Sequence, residues 1–108
     1  MNGKYLLDTN ALINLLRASN YSFKIDGGFF FISIITEIEF LSYSKLTIEE
    51  RASFSSLFKN EQIINIDSTI KSETITLKSN TKIKLPDAVI CSTATVNGLI
   101  LVRWQRIV

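Results

Sequence analysis

The sequence predicts an α/β fold with a mainly parallel central sheet of four strands flanked by helices. Short apolar runs alternate along the chain with longer segments in which apolar residues recur at helical spacing. This alternation is typical of strand–helix–strand units. The chain has 108 residues and neither a low-complexity run nor an internal repeat, so a single domain spanning 1–108 is predicted.

The four predicted strands are short and apolar. They read KYLLD (4–8), FFFIS (29–33), QIINI (62–66) and LILV (99–102). The third is of the β-branched kind that favours a pleated strand. Because helices separate the strands along the chain, they are expected to run mainly parallel.

Helical spacing fills the segments between the first three strands. Asn10 is predicted to cap the first helix. The second helix is expected to have its apolar side at Ile35, Ile38 and Leu41/Ser42. Thr47 and Glu50 have the spacing of a capping box at the start of the third helix. The stripe that this helix is predicted to bury consists of Ile48, Ala52, Leu57 and Phe58.

The C-terminal half predicts two further helices. Asp67 or Ser68 is expected to cap the first of them, although its β-branched residues weaken the helical pattern. Its predicted buried stripe is Ile70, Thr74 and Leu77. Pro86 occupies a position that a first helical turn tolerates, and Gly98 is predicted to end the last helix.

Composition excludes several classes of chemistry. The chain has no histidine, which excludes imidazole metal ligands, histidine acid–base catalysis, and Ser–His or Cys–His nucleophile pairs. Cys91 is the single cysteine and cannot form an intramolecular disulfide. The longest apolar run, GGFFFISII, is too short for a bilayer, which needs about 20 residues. With no secretory leader before the first strand, a cytoplasmic protein without membrane contact is expected.

Three acids occupy positions where a parallel α/β fold places its chemistry. Asp8 ends the first strand, Glu39 lies on the second helix, and Asp87 opens the fifth helix. Strand ends and the first turns of the following helices meet at one edge of such a sheet, so these carboxylates are expected to converge there. Glu37 lies about 200° from Glu39 around the helix and is expected to be the more solvated of the two.

Each acid also has a purely structural interpretation. Asp8 is accounted for as a helix cap, Glu39 as an ordinary exposed helix acid, and Asp87 as a charge that complements the helix dipole. Taken together they favour a metal site, because clustered carboxylates repel one another unless a cation lies between them. With oxygen ligands alone, the expected ion is Mg²⁺ or Mn²⁺, and the expected reaction is metal-assisted hydrolysis of a phosphodiester.

Basic charge is concentrated in one segment. The net charge is only +2, so no broad electrostatic attraction to nucleic acid is predicted. The segment LKSNTKIKLPD nevertheless places lysines directly before Asp87. Lys82 and Lys84 are therefore candidates for contacts with a nucleic-acid backbone, and ordinary solvated lysines are the equally good alternative.

Three blocks of the sequence, LLDTNALINLL, FFISIITEIEFL and KLPDAVICSTATVNGLILV, resemble those of PIN-domain proteins, especially VapC-type toxins of toxin–antitoxin pairs. The resemblance runs from residue 4 to residue 102 and implies a PIN-like three-layer fold. It implies catalytic and metal-binding roles for Asp8, Glu39 and Asp87, with Asn10 and Thr36 in support. It further implies cleavage of RNA with Mg²⁺ or Mn²⁺, by a homodimer that a cognate antitoxin neutralises.

The sequence departs from the family after the fourth strand. Family members continue with a polar loop carrying a further acidic residue, then a short helix and a last strand. Here the sequence reads LVRWQRIV, and no acid follows Asp87. The C-terminal helix and last strand of the family are therefore expected to be missing. Arg103 and Arg106 put positive charge where a metal-binding carboxylate is expected.

Two functions from different classes follow. The first is a metal-dependent ribonuclease toxin, which loss of the fourth acid could impair, and the three retained acids favour it. The second is a catalytically inactive PIN-fold binding module for an antitoxin or RNA, which the missing acid favours. A third interpretation makes Asp8 a phosphoacceptor. It is disfavoured, because a phosphatase of that type needs a second Asp where this chain has Asn10.

Overall fold

The computed structural model describes residues 3–17 and 29–103. Four strands, five α-helices and one short 3₁₀ turn lie within these two ranges. In chain order they are β1 (Lys4–Leu7), α1 (Thr9–Arg17), β2 (Phe29–Ser33), α2 (Ile34–Leu41), α3 (Ile48–Leu57), the 3₁₀ turn (Asn60–Gln62), β3 (Ile63–Ile64), α4 (Ser68–Asn80), α5 (Leu85–Asn97) and β4 (Ile100–Val102).

The four strands form one parallel sheet in the order β3-β2-β1-β4. Leu6 of β1 lies opposite Phe31 of β2 on one side and Leu101 of β4 on the other. The chain adds β2 and β3 in turn on one side of β1, and β4 then pairs with the other side of β1. The strand order therefore reverses between β1 and β4, and open α/β sheets bind ligands in the crevice beyond the carboxyl ends of the strands at such a point.

Alternating side chains divide the core between the two faces of the sheet. Leu7 and Ile32 pack on one face with Leu12 of α1 and with aromatic residues from α2 and α3. Leu6 points to the opposite face and packs with Ile90 of α5. Helices thus cover both faces, and the predicted three-layer α/β fold around a parallel sheet is confirmed.

Helix α4 confirms the helical interpretation of a segment rich in β-branched residues. Asp67 caps it, since its Oδ1 accepts the backbone N–H of Ile70 at 2.8 Å. Ile70 is fully buried, and the Thr74 hydroxyl donates to the Ile70 carbonyl at 2.7 Å. Helix α4 packs against α5, which ends at Gly98 with a left-handed φ of +64°.

The buried face of α3 differs from the predicted stripe. The capping box of Thr47 and Glu50 is present, but Ile48 is 85% exposed and Ala52 is exposed as well. Phe54 faces the core instead, and its ring stacks between those of Phe40 and Phe58 at centroid distances of 5.4 and 5.5 Å. Ile48 and Ala52 lie about 120° and 160° from Phe54 around the helix, so burial of the larger ring turns both toward solvent.

Two smaller expectations are also wrong. Ile38 is 53% exposed, because Phe40, about 160° away around α2, is the residue that faces the core. The third strand is limited to Ile63 and Ile64. Gln62, predicted to begin it, ends the 3₁₀ turn and reaches the β2 backbone with its side chain, donating from Nε2 to the Phe30 carbonyl at 3.0 Å.

No helix in residues 3–17 and 29–103 combines the length and the apolarity needed to cross a membrane.

Candidate active site

Asp8 lies at the point where the strand order reverses. It follows the last residue of β1, and its backbone N–H donates to the Val102 carbonyl of β4 at 3.0 Å. Its Oδ1 accepts the N–H of Ala11 at 2.8 Å, which makes Asp8 the cap of α1. The prediction that Asn10 caps this helix is wrong. A capping oxygen bonds the N–H two or three residues further on, and with the helix starting at Thr9 that register belongs to Asp8.

Capping uses only one oxygen of Asp8. The other, Oδ2, lies 4.0 Å from Nε of Arg103, the residue that follows β4. The Asp8 side chain is 17% exposed and that of Arg103 is 56% exposed. The structural and the chemical interpretation of Asp8 are therefore compatible. One oxygen holds α1 in place, and the other faces the crevice beside a cation.

Glu39 is tied to the start of α1. The Thr9 hydroxyl donates to Glu39 Oε1 at 2.7 Å, which joins two elements 30 residues apart in the sequence. Glu39 is exposed, whereas Glu37 is half-buried and lines a different cavity. The expectation that Glu37 is the more solvated of the two is therefore wrong. The expectation that they face different sides of α2 holds.

Asp87 lies in the first turn of α5, next to Pro86. The helix begins without a side-chain cap, because Lys84 at the capping position makes no such hydrogen bond. An acid in this turn compensates the unpaired N–H groups and the positive end of the helix dipole. Asp87 is exposed and free to face a ligand.

One cavity of about 370 Å³ gathers these acids. Its carboxylates come from the end of β1, from α2 and from the start of α5, which are the three elements predicted to converge. The residues that line it are Asp8, Thr9, Asn10, Ile13, Arg17, Glu39, Phe40, Tyr43, Leu46, Glu50, Asp87 and Ile90. Asn10, predicted to support the site, is therefore one of the residues that line the cavity.

The other predicted residues lie outside this lining. Thr36 is fully buried, and its Oγ1 has no hydrogen-bond partner within the part of the chain that the structure describes. Lys82 and Lys84 are exposed in the segment between α4 and α5. Arg106 lies outside the described residues, so only Arg103 of the two predicted arginines is placed.

The donor chemistry of the cavity fits a hard divalent cation. Its acidic lining offers carboxylate oxygens, and amide and hydroxyl oxygens accompany them. Across residues 3–17 and 29–103, no three Asp, Glu or Cys side chains are grouped closely enough to hold a metal ion as they stand. Asp8, Glu39 and Asp87 thus share a cavity without forming a closed ligand set.

Sequence reasoning missed the far end of this cavity. Arg17 Nε lies 3.1 Å from Glu50 Oε2, which joins the end of α1 to the first turn of α3. The Thr47 N–H also donates to Glu50 at 3.1 Å, and these two contacts hold the pKa of Glu50 below its usual value. The capping-box spacing identified Glu50, but only as a helix cap, and Tyr43 carried no signal.

The chain was compared with protein families and with solved structures. The family model described as PIN domain matches residues 5–105. A toxin–antitoxin complex from Klebsiella pneumoniae contains a chain 31% identical, with a TM-score of 0.71; the match covers 90% of this chain and 82% of that one. No curated protein matches.

Two further structures share the fold at 19% identity. VapBC from Salmonella typhimurium bound to DNA has a TM-score of 0.73, and the match covers 94% of this chain and 86% of that one. VapBC2 from Rickettsia felis bound to promoter DNA has a TM-score of 0.72, with 94% and 99% covered. The resemblance predicted from the three sequence blocks is confirmed. Since the family model spans nearly the whole sequence, the chain belongs to the PIN domain family.

Proposed function

We propose that this protein is a metal-dependent endoribonuclease and the toxin component of a toxin–antitoxin pair. The observation that carries the proposal is the single cavity lined by Asp8, Glu39 and Asp87 where the strand order reverses. Membership of the PIN family supports nuclease chemistry in that cavity. The complex from Klebsiella pneumoniae, described as toxin–antitoxin, supports the toxin role.

The proposed ion is Mg²⁺ or Mn²⁺, held by the free oxygen of Asp8 and by Glu39 and Asp87. Such an ion, when bound, stabilises charge on phosphate oxygens and lowers the pKa of water. The residues of the chain keep the ligands in position. The N–H of Ala11 fixes the Asp8 carboxylate, and the Thr9 hydroxyl fixes that of Glu39. Both carboxylates are therefore already oriented before substrate binds.

Histidine-free chemistry restricts the products. Ribonucleases that use two imidazoles pass through a 2′,3′-cyclic phosphate, and this chain has no imidazole. We therefore propose direct attack by water on the phosphorus. The resemblance to PIN-domain nucleases implies that the 3′ oxygen leaves, which gives 5′-phosphate and 3′-hydroxyl ends.

The experiment uses the purified chain and single-stranded RNA, with EDTA and then with excess Mg²⁺ or Mn²⁺. Cleavage that stops with EDTA and returns with either ion supports the proposal, as do 5′-phosphate ends. Cyclic phosphate ends, or cleavage that persists in EDTA, would contradict it.

Lys82 and Lys84 are proposed contacts for the RNA backbone. Both are exposed, and Lys84 directly precedes the helix that carries Asp87. Replacing both with Gln is expected to reduce the slope of log affinity against log salt by about 1.4, as loss of two phosphate contacts to a single strand does. The same change at Lys59 and Lys71, two exposed lysines outside the cavity of the three acids, is the control. An equal slope for both double variants would leave Lys82 and Lys84 as surface residues.

The proposed partners are a cognate antitoxin and a second copy of the chain. The similar chain from Klebsiella pneumoniae comes from a toxin–antitoxin complex, which supports the first. The homodimer rests on the family resemblance. Size-exclusion chromatography with light scattering checks it, and a monomer at micromolar concentration would contradict it.

A binding module without catalysis is the second candidate function. The observation that favours it is the guanidinium of Arg103 at 4.0 Å from the free oxygen of Asp8, since a fixed cation there competes with a metal ion. RNA binding or antitoxin binding without any metal-dependent cleavage would support this candidate over the nuclease.

A further inference from the structure

The cavity that holds the three acids continues well beyond them. Asp8 and Arg17 both line it, and Arg17 lies nine positions after Asp8 along α1, a rise of about 13 Å. We call its far end the Tyr43 lobe, and define it by Ile13, Arg17, Tyr43, Leu46 and Glu50. The volume of the whole cavity, about 370 Å³, lies within the usual range of small-ligand sites.

The walls of the Tyr43 lobe are apolar and aromatic. Ile13 and Leu46 are half-buried, and the Tyr43 side chain is 50% exposed. A turn fixes the backbone of Tyr43, because its N–H donates to the Phe40 carbonyl at 3.3 Å and its carbonyl accepts from Leu46 at 3.1 Å. The lobe therefore presents an aromatic ring that is open to a ligand on a backbone that is already ordered.

The polar end of the lobe is the ion pair of Arg17 and Glu50, in which Arg17 has N–H donors that the pair does not use. Glu50 is fully engaged, since Oε1 accepts from the Thr47 N–H and Oε2 from Arg17 Nε. A guanidinium has five N–H donors. Only Nε of Arg17 has a partner within residues 3–17 and 29–103, so the terminal N–H groups of Arg17 can donate to a ligand.

The charges of the lobe favour a neutral ligand over a phosphate. Glu50 balances Arg17 at 3.1 Å, and the remaining charged groups lining the cavity are the carboxylates of Asp8, Glu39 and Asp87. A phosphate in the lobe would meet no net positive charge, because Glu50 already balances Arg17. A flat, uncharged ligand with hydrogen-bond acceptors on its edge matches the ring, the apolar walls and the unused donors.

We propose that the Tyr43 lobe is a subsite for one unpaired RNA base next to the cleaved phosphodiester. This inference rests on the proposed function. The base stacks on the Tyr43 ring, and its edge accepts hydrogen bonds from Arg17. Unpaired bases in RNA are recognised in this way, by stacking on aromatic rings and by hydrogen bonds to their exposed edges. The subsite would fix the register of the strand relative to the acids.

The test is a thermodynamic cycle between one base and the Tyr43 ring. The protein carries Asp87→Asn to prevent cleavage, and the probe is a short single-stranded RNA that the unmodified protein cleaves. Abasic nucleotides replace the bases on either side of the cleaved bond, one at a time. Affinities are measured by fluorescence anisotropy for the protein with Asp87→Asn alone. They are also measured for three double variants, in which Asp87→Asn is combined with Tyr43→Ala, with Tyr43→Phe or with the control Ile48→Ala. Ile48 is a highly exposed apolar residue outside the cavity.

The abasic change at one position is expected to weaken binding by between about 5-fold and 150-fold, the usual effect of losing one stacked base. The same loss is expected with Tyr43→Phe, which keeps the ring, and with Ile48→Ala. Tyr43→Ala is expected to bind the intact RNA as weakly as the abasic one. Thermal melting shows whether each variant is folded.

An equal abasic penalty with and without the Tyr43 ring would overturn the subsite while leaving the nuclease proposal standing. Failure of the unmodified protein to cleave RNA would overturn the proposed function and the subsite together.

Discussion

Arg103 Nε lies 4.0 Å from Asp8 Oδ2, across the point where the strand order of the sheet reverses. The two residues follow adjacent parallel strands, and a backbone hydrogen bond from Asp8 to Val102 keeps those strand ends together. A positive charge is thus built into the crevice that a metal ion would have to enter. The positive charge that the sequence places after the fourth strand therefore lies beside Asp8 in the case of Arg103.

Removing this charge is expected to strengthen metal binding. Arg103→Gln should tighten the binding of Mn²⁺ by about fivefold, because the ion then no longer displaces a guanidinium whose attraction to the Asp8 carboxylate at 4.0 Å is worth about 1 kcal/mol in water. Isothermal titration measures the dissociation constant without relying on activity. Arg51→Gln is the matched control, since Arg51 lines the second cavity. Unchanged affinity in Arg103→Gln would show that the arginine does not compete with the ion.

The capping role and the catalytic role of Asp8 are expected to be separable by mutation. Asp8→Asn keeps an acceptor for the Ala11 N–H and removes the charge, so the helix cap should survive while cleavage falls more than about 100-fold. Asp8→Ala removes both the hydrogen-bond acceptor and the charge, and it should also lower the free energy of unfolding by about 1 kcal/mol. Urea denaturation and RNA cleavage measure the two effects. Cleavage by Asp8→Asn at the unmodified rate would remove Asp8 from the catalytic site.

The Glu50 carboxylate is expected to contribute to stability in a pH-dependent manner. The Thr47 N–H and Arg17 lower its pKa from the usual 4.5, so its contribution is present above pH 4.5 and is lost as the pH falls through the lowered folded value. Glu50→Gln should therefore melt at a lower temperature than the unmodified chain at pH 7, and the difference should shrink below pH 4.5.

Glu49→Gln is the control for this prediction, because Glu49 lies in the same helical turn. A difference between Glu50→Gln and the unmodified chain that stays constant from pH 7 to strongly acidic pH would show that Glu50 acts through packing alone.

Much of the fold could be predicted because its signals are local. The run KYLLD forms a strand and the segment TIKSETITLKSN forms a helix, as predicted. Apolar patterns, helix caps and a helix-ending glycine such as Gly98 each act within a few residues. The convergence of Asp8, Glu39 and Asp87 on one cavity follows from parallel topology alone. Alternation of strands and helices indicates that topology.

What could not be predicted depends on contacts between distant segments. Arg17 and Glu50 are 33 residues apart and meet only because α1 packs on α3. The buried face of α3 was predicted only in part. Leu57 and Phe58 pack in the core as expected, but Phe54 was missed because it stacks on Phe40 of another helix, and no spacing within α3 reveals that partner. The cap of α1 was predicted at Asn10, while a capping role for Asp8 was the alternative interpretation. Asp8 both follows the strand and caps the helix.

The comparison of Glu39→Gln with Glu37→Gln tests the central claim most directly. The two acids lie two residues apart on α2, yet Glu39 lines the cavity of Asp8 and Asp87 while Glu37 lines the other one. RNA cleavage with Mn²⁺ is measured for both variants under identical conditions. The proposal predicts that Glu39→Gln loses more than about 100-fold in rate while Glu37→Gln stays within a factor of about two. Equal rates for the two variants would contradict it.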